Sequence, residues 1–206
     1  MITLHVANVT GSMDSLLARI KSAHQRAAKT AAGLLGMDNV DVVCVVDTSK
    51  VIKEIGVGGF TPNRHLTYLY IDPDFDVSES EIYATLCHEL NHARRYDGEG
   101  YGKTLFDSMI FEGLATAFEA EASGGETFFT RELNARHQTE ELISQTKQEF
   151  NSTAFNYSHW FIFDDSKHLP RWAGYEIGYY LVRQYMKKTN KKASELVLEA
   201  SSSFNL

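Results

Sequence analysis

Cysteine is nearly absent. The chain has only Cys44 and Cys87, which excludes a disulfide framework and leaves both as buried thiols in apolar elements. Basic clusters are missing too. With 20 Lys and Arg against 27 Asp and Glu the formal charge is −7, and no block of Lys and Arg offers phosphates a footprint, which argues against a nucleic-acid partner. No apolar run approaches the roughly 20 residues of a membrane span, and residues 1–6 lack the basic and apolar regions of a signal peptide. There is no internal repeat, no low-complexity segment and no feature that sets an oligomeric state. These absences lead to the expectation of a soluble, cytoplasmic protein with no membrane partner. The 206 residues are 43% apolar and 12% aromatic, enough for the core of one domain.

Hydrophobic spacing divides the chain into elements. Residues 2–6 suit a short strand. A helix opens at Gly11-Ser12, with an apolar face from Leu16 to Leu35 and a stop at Gly36. His24, among lysines and arginine, reads as a surface residue, as do His65 and His137. Val40 to Val46 is β-branched and nearly continuous, the look of a strand covered on both faces. The segment G-V-G-G-F-T-P at 56–62 fails both nucleotide fingerprints, since Thr61 replaces the third glycine and no Lys-Ser/Thr follows; it reads as a glycine turn between strands. Leu66 to Ile71 is another strand.

Ser78 and Glu81 form an S-x-x-E capping box, with Val77 and Ile82 at the staple positions, so a helix starts there. A second helix spans 104–123 and stops at Gly124-Gly125. Residues 130–150 are polar and helix-forming, an exposed helix or a flap. Residues 155–163 are aromatic-rich, lining a groove or packing in the core. From Pro170 a helix that is apolar nearly all round predicts burial, and Gly174 and Gly178 would let another element come close. A short helix near 192–200 closes the chain.

The chemistry centres on His88-Glu89-Leu90-Asn91-His92, an H-E-x-x-H. By chance, eight His and 16 Glu would produce this pattern about 2% of the time, so its context decides. The context fits: the motif lies mid-helix, where residues four apart share a face. His88 and His92 can then grip one metal ion, and Glu89 can act as general base on a water. A catalytic zinc takes a third protein ligand. The continuation H-x-x-G-x-x-H is excluded, because Arg95 and Gly98 stand where Gly and His are required. Glu112 suits the role. It follows His92 by 20 positions, beyond a glycine-rich turn, in an apolar helix where an unpaired carboxylate is costly to bury. The competing reading pairs Glu112 with Arg94 or Arg95 and binds no metal.

H-E-L-N-H followed by E-G-L-A-x-x-F-E at 112–119 resembles the gluzincin branch of zinc metallopeptidases. More closely, it resembles a bacterial family of uncharacterised function described as predicted Zn-dependent proteases. Segments 56–62 and 174–180 are similar to that family as well, and the resemblance covers about 40–190. It implies an α+β, zincin-like fold: a small twisted sheet over the metal helix in an N-terminal lobe, about 1–100, and a mainly helical C-terminal lobe, about 101–206. It implies one Zn2+ per chain held by His88, His92 and Glu112, with Glu89 as base and a peptide or protein as substrate; manganese or cobalt are alternatives to zinc. In gluzincins a carboxylate four residues after the third ligand orients a metal histidine. Here that position is Thr116, so Glu119 or a backbone carbonyl is the expected substitute. The donor to the oxyanion is expected from the C-terminal lobe, among Tyr175, Tyr179, Tyr157, His159 and His168, with Tyr175 favoured. The strand 66–71 is expected to border the cleft and pair with extended substrate. A zincin-fold protein that binds metal or a partner without turnover is the alternative, against which the presence of Glu89 argues.

Overall fold

The computed structural model describes residues 1–162 and 169–205. The fold is α+β, with one small mixed sheet and a larger helical part. Strands β1 (Ile2–Val6), β2 (Val40–Val46), β3 (Val57–Asn63) and β4 (Leu66–Ile71) form a four-stranded sheet in the order β1-β2-β4-β3. β1, β2 and β4 are parallel, and β3 is an antiparallel edge strand. Helix α1 (Leu17–Leu34) links β1 to β2, as a parallel pair requires.

The sheet corrects three expectations. β2 is covered on one face: Val40, Val42 and Cys44 are buried while Asp41, Val43, Val45 and Val46 are not. Its continuous apolar run reflects β-branched strand preference on the outer face, where Tyr68 and Tyr70 stack alongside. The G-V-G-G-F-T-P segment is mostly strand. Gly58 and Gly59 serve close approach rather than a turn, since a Cβ at Gly58 would lie 2.2 Å from the Lys50 carbonyl oxygen. Pro62 is tolerated because β3 is an edge strand and its register with β4 shifts between Phe60 and Asn63. Finally, β4 bonds to β2 on one side and β3 on the other, so it has no edge to offer a substrate; β3 does.

Helix α2 (Glu79–Arg95) carries the H-E-x-x-H. Its start is the expected capping box: the Glu81 N–H donates to Ser78 Oγ at 3.2 Å, and the Ser78 N–H donates to Glu81 Oε2 at 3.2 Å. Such a cap is worth about 1 kcal/mol. Val77 and Ile82 are both fully buried, as a staple requires. α2 packs against α1, β3 and β4, and against helix α3 (Leu105–Ser123). α3 begins with a second box, Thr104 and Asp107, and ends at the left-handed Gly124.

Residues 130–150 do not stand free. They form helices α4 (Phe128–Asn134) and α5 (Thr139–Thr146). Glu176 ties them to helix α7 (Ala173–Thr189), accepting from Arg136 at 2.7 Å and Thr139 at 2.8 Å. Between them, helix α6 (Tyr157–Phe161) both packs and lines: Trp160 and Phe161 are buried, and Tyr157 faces the cavity described below. α7 is buried over most of its first two turns against α3. Helix α8 (Ala193–Leu196) and a closing 3-10 turn pack on α3. A continuous cluster of buried apolar side chains runs from Ile2 to Phe204.

His24 is a further correction. It is only 8% exposed, although lysines and arginine stand near it in sequence. Among the described residues, no helix is long and apolar enough to cross a membrane.

Candidate metal centre

α2 and α3 bring His88, His92 and Glu112 together. Glu112 Oε2 lies 3.3 Å from His88 Nε2 and 3.1 Å from His92 Nε2, and all three ligand atoms fall within 4.8 Å of one another. Ligands about 2.0–2.1 Å from a tetrahedral zinc stand about 3.3 Å apart, so the carboxylate oxygen already holds the spacing a zinc ion needs. Two imidazoles and a carboxylate are also the donor types zinc takes in catalytic sites. All three residues are buried. Neither arginine of the competing reading reaches Glu112: Arg94 pairs with Asp97, and Arg95 donates to the Val197 and Glu199 carbonyls at 2.9 and 2.8 Å.

The two histidines are oriented differently. His88 Nδ1 faces Glu119 Oε2 at 3.2 Å, so the expected substitute for Thr116 is the carboxylate one turn further on. Thr116 is buried on the same helix, with no hydrogen-bond partner for its hydroxyl among the described residues. His92 Nδ1 likewise finds no partner there; its ring instead stacks on Phe111 at 4.1 Å and 7°.

Glu89 is buried beside the two imidazoles. The Thr61 hydroxyl donates to its Oε2 at 2.7 Å, and Thr67 Oγ1 stands 2.9 Å from Thr61 Oγ1. Gly59 leaves the space that Glu89 fills: a Cβ there would lie 2.4 Å from Glu89 Cγ. Neither Thr61 nor Gly59 was legible as a site residue, because a hairpin and a bulge carry them to the helix.

Burial raises the pKa of Glu89, against the pull of the two histidines and Thr61. Burial would also raise Glu112, but the histidines outweigh it and hold its carboxyl far below the usual range. Burial would lower His88, but Glu112 and Glu119 outweigh it and raise it. The same two carboxylates make the space between the imidazoles attractive to a cation, whether proton or metal.

Three tyrosines surround the centre. The Tyr157 hydroxyl donates to Glu112 Oε1 at 2.7 Å. Tyr175, with its ring 6.3 Å from that of His88, is packed edge-on between Phe129 and Phe161. Tyr101, which the sequence did not single out, stacks on Phe111 at 3.9 Å. Burial, then Glu112, raises the pKa of all three, so each stays a protonated donor. Of the other donors considered, His159 is exposed and, like Tyr179, does not line the cavity, and His168 lies outside the described residues.

The family described as Predicted Zn-dependent protease (DUF2268) matches residues 20–205, and the chain belongs to it. No curated protein and no solved structure matches the chain significantly.

Proposed function

We propose that the protein is a zinc metallopeptidase of the gluzincin kind, with a zincin-like arrangement of sheet and metal helix. One observation carries this: a single oxygen of Glu112 faces both H-E-x-x-H imidazoles at zinc-ligand spacing. His88, His92 and Glu112 would hold the ion. Zinc, when bound, supplies Lewis acidity, polarising a carbonyl and lowering the pKa of water towards neutrality.

The chain's own residues supply the rest. Glu89, with its raised pKa, takes a proton from the attacking water and returns it to the leaving amine nitrogen. Thr61 holds that carboxylate in place. The donor to the oxyanion in this reading is the Tyr175 hydroxyl, whose ring stands 6.3 Å from that of His88. β3 offers an extended peptide its free edge near Gly59, but only briefly, since the Ile52 N–H already occupies the Val57 carbonyl at 3.0 Å.

The test is metal content and hydrolysis together. Wild-type protein is expected to hold about one zinc per chain, and Glu112→Ala to lose it. The zinc-loaded wild type should cut a mixed peptide library, and Glu89→Gln should keep the metal and lose most of the activity. A protein that binds zinc through these residues but cuts no peptide would be a metal-binding module instead. Zinc content unaffected by Glu112→Ala would refute the ligand set.

A further inference from the structure

The cavity around the metal centre has a second half that the chemistry above does not use. It measures about 550 Å3 and continues from His88 along the N-terminal half of α2, past Thr85 and Ala84. Ile52 and Ile55, from the β2–β3 connection, form one wall. Phe128 and Phe129 of α4, with Trp172, form another. That wall is fixed: the Phe129 ring meets Trp172 at 4.9 Å and Tyr175 at 4.8 Å, both edge-on.

Charge at the rim is already paired. Lys50 lies 3.5 Å from Asp47, and Arg171 lies 2.6 Å from Glu54. The carboxylates inside, Glu81 and Glu119, are engaged with the α2 cap and with His88. Phe60, 46% exposed, and Ile162, 49% exposed, are two large apolar side chains of the lining that also meet water. Apolar groups exposed beside a buried apolar chamber mark a surface that receives something apolar.

We infer that this half of the cavity is the specificity pocket of the peptidase, taking a large apolar side chain, aromatic or long aliphatic, from a residue next to the scissile bond and refusing an acidic one. The inference rests on the metallopeptidase reading. The two halves are one cavity: Gly59, Tyr175 and His88 share its lining with Ala84 and Phe128, within reach of a side chain next to a peptide carbonyl held over the histidines. A large apolar side chain there meets Ile52, Ile55, Ala84, Phe128 and Phe129. An Asp or Glu would be desolvated beside Glu81 and Glu119 with its rim cations already taken.

The experiment has two arms. In the first, zinc-loaded protein digests a peptide library and the cut ends are mapped by mass spectrometry. Peptides with Phe or Leu beside the cut should show kcat/KM about ten- to a hundredfold above the same peptides with Ala, and Asp should fall below Ala. Ala84→Trp, which fills the pocket, should bring the kcat/KM of the Phe and Ala peptides together. Phe128→Ser, which removes a wall without adding bulk, should weaken the preference if the Trp variant fails to fold. Equal kcat/KM for Phe, Ala and Asp peptides overturns the inference and leaves the peptidase reading standing.

The second arm is calorimetric binding of Phe and Ala peptides to Glu89→Gln protein, which needs no turnover. Binding about tenfold tighter for Phe, lost in Glu89→Gln/Ala84→Trp, supports the pocket even if no peptide is cut. Equal binding overturns it.

Discussion

Replacing Gly178 by Ala adds one methyl group where α3 and α7 touch. On the observed backbone that Cβ would lie 1.9 Å from the carbonyl oxygen of Met109 and 2.7 Å from its carbonyl carbon. Gly113 answers from α3, where a Cβ would lie 2.3 Å from the carbonyl carbon of Gly178. Both obstacles are backbone, so no change of rotamer relieves them. Ordinary contact begins near 3.4 Å, and the helices would have to part locally by about 1.5 Å. Overpacking that side chains can partly absorb costs about 1–3 kcal/mol, and Ala returns about 0.5–1 kcal/mol of helix propensity. With rigid backbone on both sides, the upper end applies. We expect a net loss of about 2–2.5 kcal/mol, a fall of roughly 4–10 °C in Tm for a chain of this size. Thermal unfolding followed by circular dichroism measures it. Gly113 adjoins Glu112, so zinc affinity should fall in the same variant when titrated against a chelator. A Tm equal to or above wild type would refute the close crossing of α3 and α7, and with it the account of how Glu112 is positioned.

Two more perturbations separate orientation from ligation. Glu119→Gln keeps the shape beside His88 but removes the charge that holds its Nδ1–H, so zinc should bind about 10–100-fold more weakly while the fold stays intact; unchanged affinity in chelator competition would show that Glu119 does not orient the ligand. Gly59→Ala pushes a methyl into Glu89 and should cut kcat about a hundredfold with zinc content unchanged, as expected for a base displaced by about an ångström; full activity would mean that Glu89 is not confined by β3.

What the sequence disclosed about the site was what local geometry controls. H-E-x-x-H at helical spacing, the Ser78–Glu81 cap and Val77–Ile82 staple are statements about one turn of helix, and each appears in the structure. Glu112 was legible for a different reason: a carboxylate in an apolar helix needs a partner, and the arginines nearby were the alternative. Gly174 and Gly178 were also legible as points of close approach, since a Cβ at Gly174 would meet Phe161 and one at Gly178 would meet α3. The rest depended on long-range register. Thr61 reaches Glu89 only because β3 pairs with β4 through a bulge, and glycines beside a proline read locally as a turn. Tyr101 reaches Phe111 from a loop. Burial of His24 is set by tertiary packing, which no neighbour in sequence reports.

The centre depends on α3 more than the motif on α2 suggests. Glu112 and Glu119 are seven residues apart, two turns or about 10 Å along one face. They engage opposite edges of a single imidazole, Nε2 and Nδ1 of His88. Phe111, the residue before Glu112, stacks on His92 and fixes the other ring without a hydrogen bond to its Nδ1. One helix therefore sets Glu112, the proposed third ligand, together with the tilt of His88 and the plane of the His92 ring. α2 supplies the donor atoms, but their relative orientation is a property of the α2–α3 interface. α3 is held in turn by its glycine crossing with α7, the helix that carries Tyr175. A shift of α3 along its axis would degrade all three relations at once, whereas a shift of β3 would act first on Glu89, through Thr61 and Gly59. In the proposed centre, metal affinity and the placement of Glu89 thus depend chiefly on different parts of the fold. Variants at the helix crossing should change the first, and variants on β3 the second.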